Sequence, residues 1–279
     1  MSPENFQKSL ELPLLAKTPS WEDNMATLRR RVKNPLERYR AYQTERCDNK
    51  SFALIKQMHK ADRWFLYDAL IRSIVEKLKI DLVIDVGANR GQFARNLRSF
   101  YRGEILSFEP VSSAFEQLAA RASSDSNWHV HQYALGSHEC TQTLNVSERT
   151  DFSSFLKANR YCGERFGVAA LGTKEETVSV RRLDEVLDEI VPNIEGRLIF
   201  VKMDTQGYDI EVFKGLGNKV KQVMALQSEV SLISLYDGMP HWTECISTYE
   251  SKGFGVAGMF PVTWDSWRVI EYDCILIKT

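Results

Sequence analysis

The sequence predicts a doubly wound α/β domain on a mostly parallel seven-stranded sheet, preceded by an N-terminal, partly helical extension. Three observations carry this. Short, nearly continuous apolar runs such as Leu82–Val86 have the pattern of strands buried on both faces. They alternate with stretches whose apolar residues recur at helical spacing, the rhythm of βαβ units around a parallel sheet. A chain of 279 residues holds one large α/β domain and an extension.

Residues 1–60 form the extension. Pro3, Pro13, Pro19 and Pro35 break any long helix, leaving Leu10–Ala16 and Leu36–Tyr42 as short helical pieces. The domain spans 61–279. Phe65, Leu66, Ala69, Leu70, Ile74 and Leu78 predict an amphipathic helix ending near Lys79. Strand Leu82–Val86, helix Phe93–Phe100, strand Glu104–Phe108, helix Ser113–Ala122 and strand Trp128–Ala134 follow. Thr141–Ser147 reads as an added strand, Phe152–Gly172 as an irregular segment, and Glu176–Val180 as another strand before a short helix at Leu183–Leu187. Core strands resume at Leu198–Met203 and Gln222–Glu229, with a helix around Ile210–Lys214 between them. A helix at Thr243–Lys252 precedes two last strands, Gly255–Phe260 and Tyr272–Lys278, joined by a turn-rich Trp264–Arg268 stretch.

Composition narrows the function classes. Hydrophobic residues at 43% and charged residues at 26% are ordinary for a globular protein, and no apolar run approaches the roughly 20 residues that span a bilayer. With no signal-peptide pattern at the start, the expected location is cytoplasmic. The five cysteines are scattered without a C-x-x-C pair, which argues against a disulfide framework and a structural zinc site. Cys274 reads as a buried small hydrophobe. Between Arg29 and Lys60 there are ten Lys/Arg against three Asp/Glu. That basic stretch is read first as a solvated helix face. Peripheral membrane contact through 29–60 stays open beside that reading, as does assembly into a homo-oligomer. Neither charge balance nor an aromatic-basic interleave suggests a nucleic-acid groove.

Asp85-Val86-Gly87-Ala88-Asn89-Arg90-Gly91-Gln92 lies between the first strand and its helix, where open α/β sheets bind ligands. Gly87 and Gly91 allow a sharp turn and close backbone approach. Glu109 ends the second strand, 24 residues after Asp85, where a carboxylate can accept both hydroxyls of a ribose; Pro110 stops the strand and presents it. A dinucleotide fingerprint needs G-x-G-x-x-G around a pyrophosphate, and this turn has only Gly87 and Gly91. Asp85 would repel a pyrophosphate but suits a cationic ligand. The turn therefore favours S-adenosylmethionine, which carries a sulfonium and an ammonium, over NAD.

These residues resemble the FkbM family of methyltransferases. The likeness rests on the Asp85–Gly91 block, Phe108-Glu109-Pro110, Ala134-Leu135-Gly136, Ser153-Ser154, Arg182-Leu183-Asp184, Lys202 through Asp209, and Glu229-Val230, in order over about 65–230. It implies a class I, Rossmann-like methyltransferase sheet closed by the final hairpin, with S-adenosyl-L-methionine as cofactor and O-methylation of sugars or other hydroxylated natural products. It also implies cofactor contacts from Asp85, Gly87, Ala88, Asn89, Gly91, Glu109, Pro110, Ala134, Leu135 and Asp204. Gln206 and Asp209 depart from the family, where many members have Glu at both positions; the first removes a possible charge beside Asp204.

Methyl transfer to an alcohol needs alignment and a base within hydrogen-bond reach of the hydroxyl. Asp204 and Glu229, at the ends of successive core strands, are the candidates, Asp204 first. Together they offer a place for a divalent cation. The bland alternative for Asp204 is a carboxylate capping the Gly207 turn. Lys202 shares the face of Asp204 and would keep it ionised. His129 and His131 share a strand face but lack a third ligand. His241, in a loop beyond the Glu229 strand, is the histidine candidate. Enzymes that methylate exocyclic base amines carry an Asn/Asp-Pro-Pro-aromatic stretch at the fourth strand, and this chain reads Asp204-Thr205-Gln206-Gly207 there. Trp264 and Trp267, with a covering insertion at Ser153–Gly172, suit a sugar or polyketide. The expected function is O-methylation of a hydroxyl on a small molecule or glycoside. A cofactor-binding subunit without catalysis and a methyltransferase acting on an amine or carboxyl group are the alternatives.

Overall fold

The computed structural model describes residues 66–279, apart from the side chain of Thr173. The expected extension, including Leu10–Ala16, Leu36–Tyr42 and the basic stretch 29–60, lies outside the described residues. The first described element is a helix covering 66–77 (α1). Its buried stripe is Tyr67, Ile71, Ile74 and Val75, while Leu66 is 57% exposed. The stripe is thus shifted from the expected one. Tyr67 supplies an apolar ring to the core while its hydroxyl donates to Gln227 Oε1 at 2.7 Å, a combination that tyrosine allows.

Strand β1, Leu82–Val86, is buried along its whole length because it lies at the centre of the sheet. It pairs in parallel with β2 (Glu104–Phe108) and with β7 (Ile199–Met203). The seven strands run in the order β3-β2-β1-β7-β8-β10-β9, with β3 at Trp128–His131, β8 at Val223–Ser231, β9 at Phe254–Asp265 and β10 at Arg268–Lys278. Only β10 runs opposite to the rest, pairing antiparallel with β8 on one side and β9 on the other. The mostly parallel seven-stranded sheet and its closing hairpin are as expected.

Alternate side chains of each strand point to opposite faces, which produces two cores. Val83, Ile105, Phe200, Ala225 and Ile275 pack with α1, with α2 (Gln92–Leu97) and with α3 (Ser112–Ala122). Leu82, Ile84, Val86, Val201 and Met203 pack on the other face. Their partners are α5 (Leu183–Ile190), α6 (Asp209–Gly215) and α7 (Trp242–Glu250). Asp85 and Lys202 have the parity of the first face, so burying them there requires each to find a partner.

Two expectations are corrected. The strand expected over Trp128–Ala134 is broken: β3 ends at His131, and β4 (Ala134–Gly136) joins a separate three-stranded sheet of order β4-β6-β5. There β4 pairs in parallel with β6 (Gly172–Arg182), and β5 (Cys140–Ser147) is antiparallel to β6. The crossing is tight, since a Cβ on Gly136 would lie 2.8 Å from Val180 and 3.3 Å from Tyr208. The irregular Phe152–Gly172 segment contains a helix, α4 (Arg160–Phe166), capped by Asn159 Oδ1, which accepts from the Cys162 amide at 3.0 Å.

Strand order switches direction between β1 and β7, which opens the ligand crevice at their carboxyl ends. The backbones touch there. Asp204 N donates to Val86 O at 3.1 Å, and a Cβ built on Gly87, at φ +71°, would lie 2.0 Å from Asp204 O. Gly87→Ala therefore combines left-handed strain of ~1–2 kcal/mol with a backbone clash, and we expect a stability loss of at least ~2 kcal/mol. Urea unfolding measures it; an unchanged midpoint would show that the turn relaxes freely.

Candidate active site

Gly87 N and Ala88 N both donate to Phe108 O at 3.0 Å, which ties the glycine turn after β1 to the end of β2. Glu109 follows. Its Oε2 accepts from Asn89 N at 2.7 Å and its Oε1 from Val111 N at 2.8 Å. The carboxylate is buried at 6% exposure yet lines a cavity of about 400 Å³, within the range of small-molecule sites. Each oxygen keeps a lone pair beyond the one its amide donor uses. Burial pushes the carboxyl up to about 7, with the Val111 and Asn89 amides opposing.

Of the expected cofactor residues, Gly87, Asn89, Glu109, Pro110, Ala134, Leu135 and Asp204 line this cavity. Ala88 instead lines a second cavity of about 220 Å³, which shares Gly87, Asn89 and Asp204 with the first. Gly91 lines neither, because a Cβ there would meet Leu118 and Trp128 at 2.9 Å; it packs α2 against its neighbours. Asp85 also lines neither cavity. It is fully buried beneath the turn and pairs with Lys202 Nζ at 3.3 Å, so its expected role beside a cationic ligand is replaced by an internal ion pair. Burial raises its pKa, and Lys202 opposes that rise.

At the other end of the cavity, Lys202 Nζ also meets Asp204 Oδ2 at 3.3 Å. Burial alone would lower the lysine pKa, but Asp204 and Asp85 more than offset it and the ammonium stays charged. Asp209 braces the turn that carries Asp204. Its Oδ1 accepts from Thr205 N at 2.9 Å, and its Oδ2 accepts from Ser228 Oγ at 2.7 Å and Glu229 N at 3.1 Å. The turn-bracing role weighed for Asp204 thus falls to Asp209, although no side chain caps α6, and the same carboxylate locks the turn to β8 beside Glu229.

Gln206 lies between the candidate carboxylates. Its Nε2 donates to Asp204 Oδ1 at 3.2 Å and to Glu229 Oε2 at 2.7 Å. Glu229 and Glu271 both line the cavity. Burial raises the Glu229 pKa well above the ordinary carboxylate range, with Glu271 and Asp204 adding to it; burial and Asp204 push Glu271 up to about 7. Between Asp204 and Glu229, where the sequence also offers a place for a divalent cation, stands the Gln206 amide, and among the described residues no group of three or more His, Cys, Asp or Glu is arranged to hold a metal.

His241 is not part of the site. It is exposed and caps α7, its Nδ1 lying 2.7 Å from Thr243 Oγ1. A residue three positions ahead of Glu244 at a helix start is the signal that would have revealed this. His129 reaches Glu104 at 3.8 Å, and His131 stacks on Phe108. Trp264 and Trp267 line neither cavity, and Trp267 stands at the tip of the β9–β10 hairpin, 51% exposed. The expected insertion contributes Ser153, Phe155 and Phe166 to the cavity wall, joined by residues 149–152 just ahead of it, of which Thr150 Oγ1 donates to Asn89 Oδ1 at 3.0 Å. Glu271, Thr263 and Tyr208 also line the cavity and were not expected. Tyr208 lies within the block Lys202 through Asp209, while no local motif marks Glu271 or Thr263.

A sheet with this switch, a glycine turn at its crevice and a buried acid at the end of β2 define a class I, Rossmann-like S-adenosylmethionine-dependent methyltransferase. The chain belongs to the FkbM methyltransferase family: the model of the methyltransferase FkbM domain matches residues 85–254. No curated protein matches the chain. Solved structures of similar fold include Aeropyrum pernix fibrillarin with natively bound S-adenosyl-L-methionine (12% identity, 76% of this chain and 74% of that one, TM-score 0.42). An rRNA methylase from Streptococcus thermophilus is 10% identical over 75% and 94% of the two chains, TM-score 0.40. Precorrin-6y C5,15-methyltransferase from Geobacter metallireducens is 11% identical over 75% and 88%, TM-score 0.41. Among the described residues no helix is long and apolar enough to cross a membrane.

The cavity fits the cofactor of this family. Glu109 offers free lone pairs for vicinal ribose hydroxyls, and Phe108, Pro110, Tyr133 and Leu135 supply apolar walls for a flat base. Ribose hydroxyls donate best to an ionised carboxylate, so cofactor affinity is expected to fall as pH drops below about 7, where Glu109 gains a proton. Glu109→Gln should bind S-adenosylmethionine more weakly, by roughly 1.5–3 kcal/mol for a lost charged hydrogen bond, and should lose that share of the pH dependence. Calorimetry from pH 5.5 to 8 measures both; equal affinities in the two proteins would remove the ribose role.

Proposed function

We propose that this methyltransferase acts on a hydroxyl of a sugar or another small hydroxylated natural product in the cytosol, with Glu229 as the base. Bound in the larger cavity, S-adenosylmethionine supplies an electrophilic methyl group. The observation that carries the reading is the state of the two carboxylates at the far end. Both oxygens of Asp204 are engaged, Oδ1 by Gln206 and Oδ2 by Lys202. Glu229 has Oε2 engaged by Gln206, and no donor among the described residues meets Oε1. Glu229 lines the cavity, and the raised pKa of its carboxyl makes the ionised form a stronger proton acceptor. Asp204, first in the sequence reading, becomes the anion that balances Lys202.

A hydroxyl acceptor suits this arrangement because its proton must leave as the oxygen attacks, and Glu229 Oε1 is positioned to take it. The absence of proline in Asp204-Thr205-Gln206-Gly207 sets the site apart from those that methylate exocyclic base amines. Residues 149–153 and 155 wall the cavity, which suits a small acceptor.

Glu229→Gln keeps shape and hydrogen bonding but removes the base, so turnover should fall ~10²- to 10⁴-fold. Asp204→Asn should fall less. The measurement is S-adenosylhomocysteine formed with a panel of glycosides and hydroxylated aromatics. EDTA should leave the wild-type rate unchanged, since an amide, not a cation, bridges the carboxylates. Normal turnover in Glu229→Gln would return the role to Asp204, and a rate lost in EDTA and restored by magnesium would establish a metal.

A further inference from the structure

We propose that Gln206 is a positioning residue of the transfer step: its side-chain amide, held by Tyr236, engages Glu229 Oε2 and leaves Oε1 as the oxygen of that carboxylate available to the acceptor. The proposal deepens the reading of Glu229 as base and rests on it.

The backbone places the amide first. Gln206 has φ +52°, a left-handed conformation that costs a non-glycine residue energy. It is held there by Ser154 Oγ, which donates to Gln206 O at 2.7 Å, and the brace from Asp209 fixes the same turn from below. A strained backbone secured on two sides gives the side chain a defined origin.

Tyr236 then selects one of the two amide orientations. Its hydroxyl lies 2.7 Å from Gln206 Oε1 and 3.2 Å from Phe152 O. The ring is 1% exposed, and burial holds the phenol protonated, so the hydroxyl is available as a donor. With Oε1 turned to Tyr236, both hydrogens of Nε2 face the carboxylates. One goes to Asp204 Oδ1 at 3.2 Å and the other to Glu229 Oε2 at 2.7 Å. The reversed amide would set its oxygen against two carboxylates; the tyrosine hydroxyl, which can accept as well as donate, then secures the orientation that the carboxylates favour.

The amide also has the right charge for the task. A carboxylate at 206 would add a further negative group to a cavity end that already holds Asp204, Glu229 and Glu271. An ammonium would hold Glu229 ionised but make it a weaker base. A neutral donor stabilises the ionised form by one hydrogen bond and leaves the carboxylate basic, with its rotation stopped so that Oε1 points at the cavity.

The test reads the protonation of Glu229 directly and needs no acceptor. Infrared difference titration follows the carboxyl stretch assigned to Glu229 by its loss in Glu229→Gln. Loss of a hydrogen bond to the ionised form should raise the midpoint in Gln206→Leu by about one to two pH units. Tyr236→Phe, which releases the amide, should shift it the same way by less, and Gln206→Glu should shift it furthest by adding a carboxyl. Circular dichroism checks that each variant is folded; if Gln206→Leu does not fold, Tyr236→Phe decides. A midpoint unchanged in the folded variants would overturn the positioning role whatever Glu229 does in catalysis. A shifted midpoint together with normal turnover in Glu229→Gln would keep the amide bridge and refute the base assignment.

Discussion

Lys202 carries its ammonium inside the sheet, between Asp85 on β1 and Asp204 beyond the end of β7, and the crevice depends on that ion triad. A charge so buried is costly unless paired, and removing Lys202 would leave Asp85 as an uncompensated ion in the core. The strand ends at the switch point are therefore held together by electrostatics as well as by the parallel ladder. Because the triad spends Asp85 and one oxygen of Asp204 on internal balance, the proposed roles fall to the neighbours: Glu109 on one side of the turn and Glu229 on the other.

Around the triad, polar side chains make a continuous chain of contacts from β8 to the cover. Asp209 joins the turn after β7 to β8, Gln206 joins Asp204 to Glu229, and Ser154 joins Gln206 to the cover segment. None of these bonds is individually large, since a net hydrogen bond contributes on the order of 1 kcal/mol. Their joint effect is to fix the direction of a few oxygens, which is the precision that a displacement reaction requires.

Much of this was legible in the residue order. Central strands announce themselves because they are buried on both faces, so Leu82–Val86 and Ile199–Met203 are apolar without interruption apart from Asp85 and Lys202. Glu109 was legible for the complementary reason that a glycine turn and a strand-ending acid sit at a spacing one βαβ unit dictates. The second sheet was only partly visible: Gly172–Arg182 is largely polar, and the break after His131 leaves no local mark. Glu271 reaches the cavity only because β10 folds back beside β8, a long-range pairing that no window of sequence contains. His241 misled in the opposite way, since a histidine in a loop looks the same whether it meets a ligand or closes a helix. The same applies to Asp85, whose partner lies over a hundred residues further along the chain.

Asn89 has two holds that lie on different parts of the site. Its backbone N–H grips Glu109, and its side-chain oxygen receives Thr150 from the cover. One residue thus senses both the floor and the roof. Anything that changes the geometry at Glu109 is transmitted across a single amino acid to the covering loop, and by reciprocity the loop's posture alters how firmly the floor grips its guest. On the proposed ribose role of Glu109, the cover becomes a gauge of occupancy, coupled to the cofactor's sugar and not to the methyl group being moved.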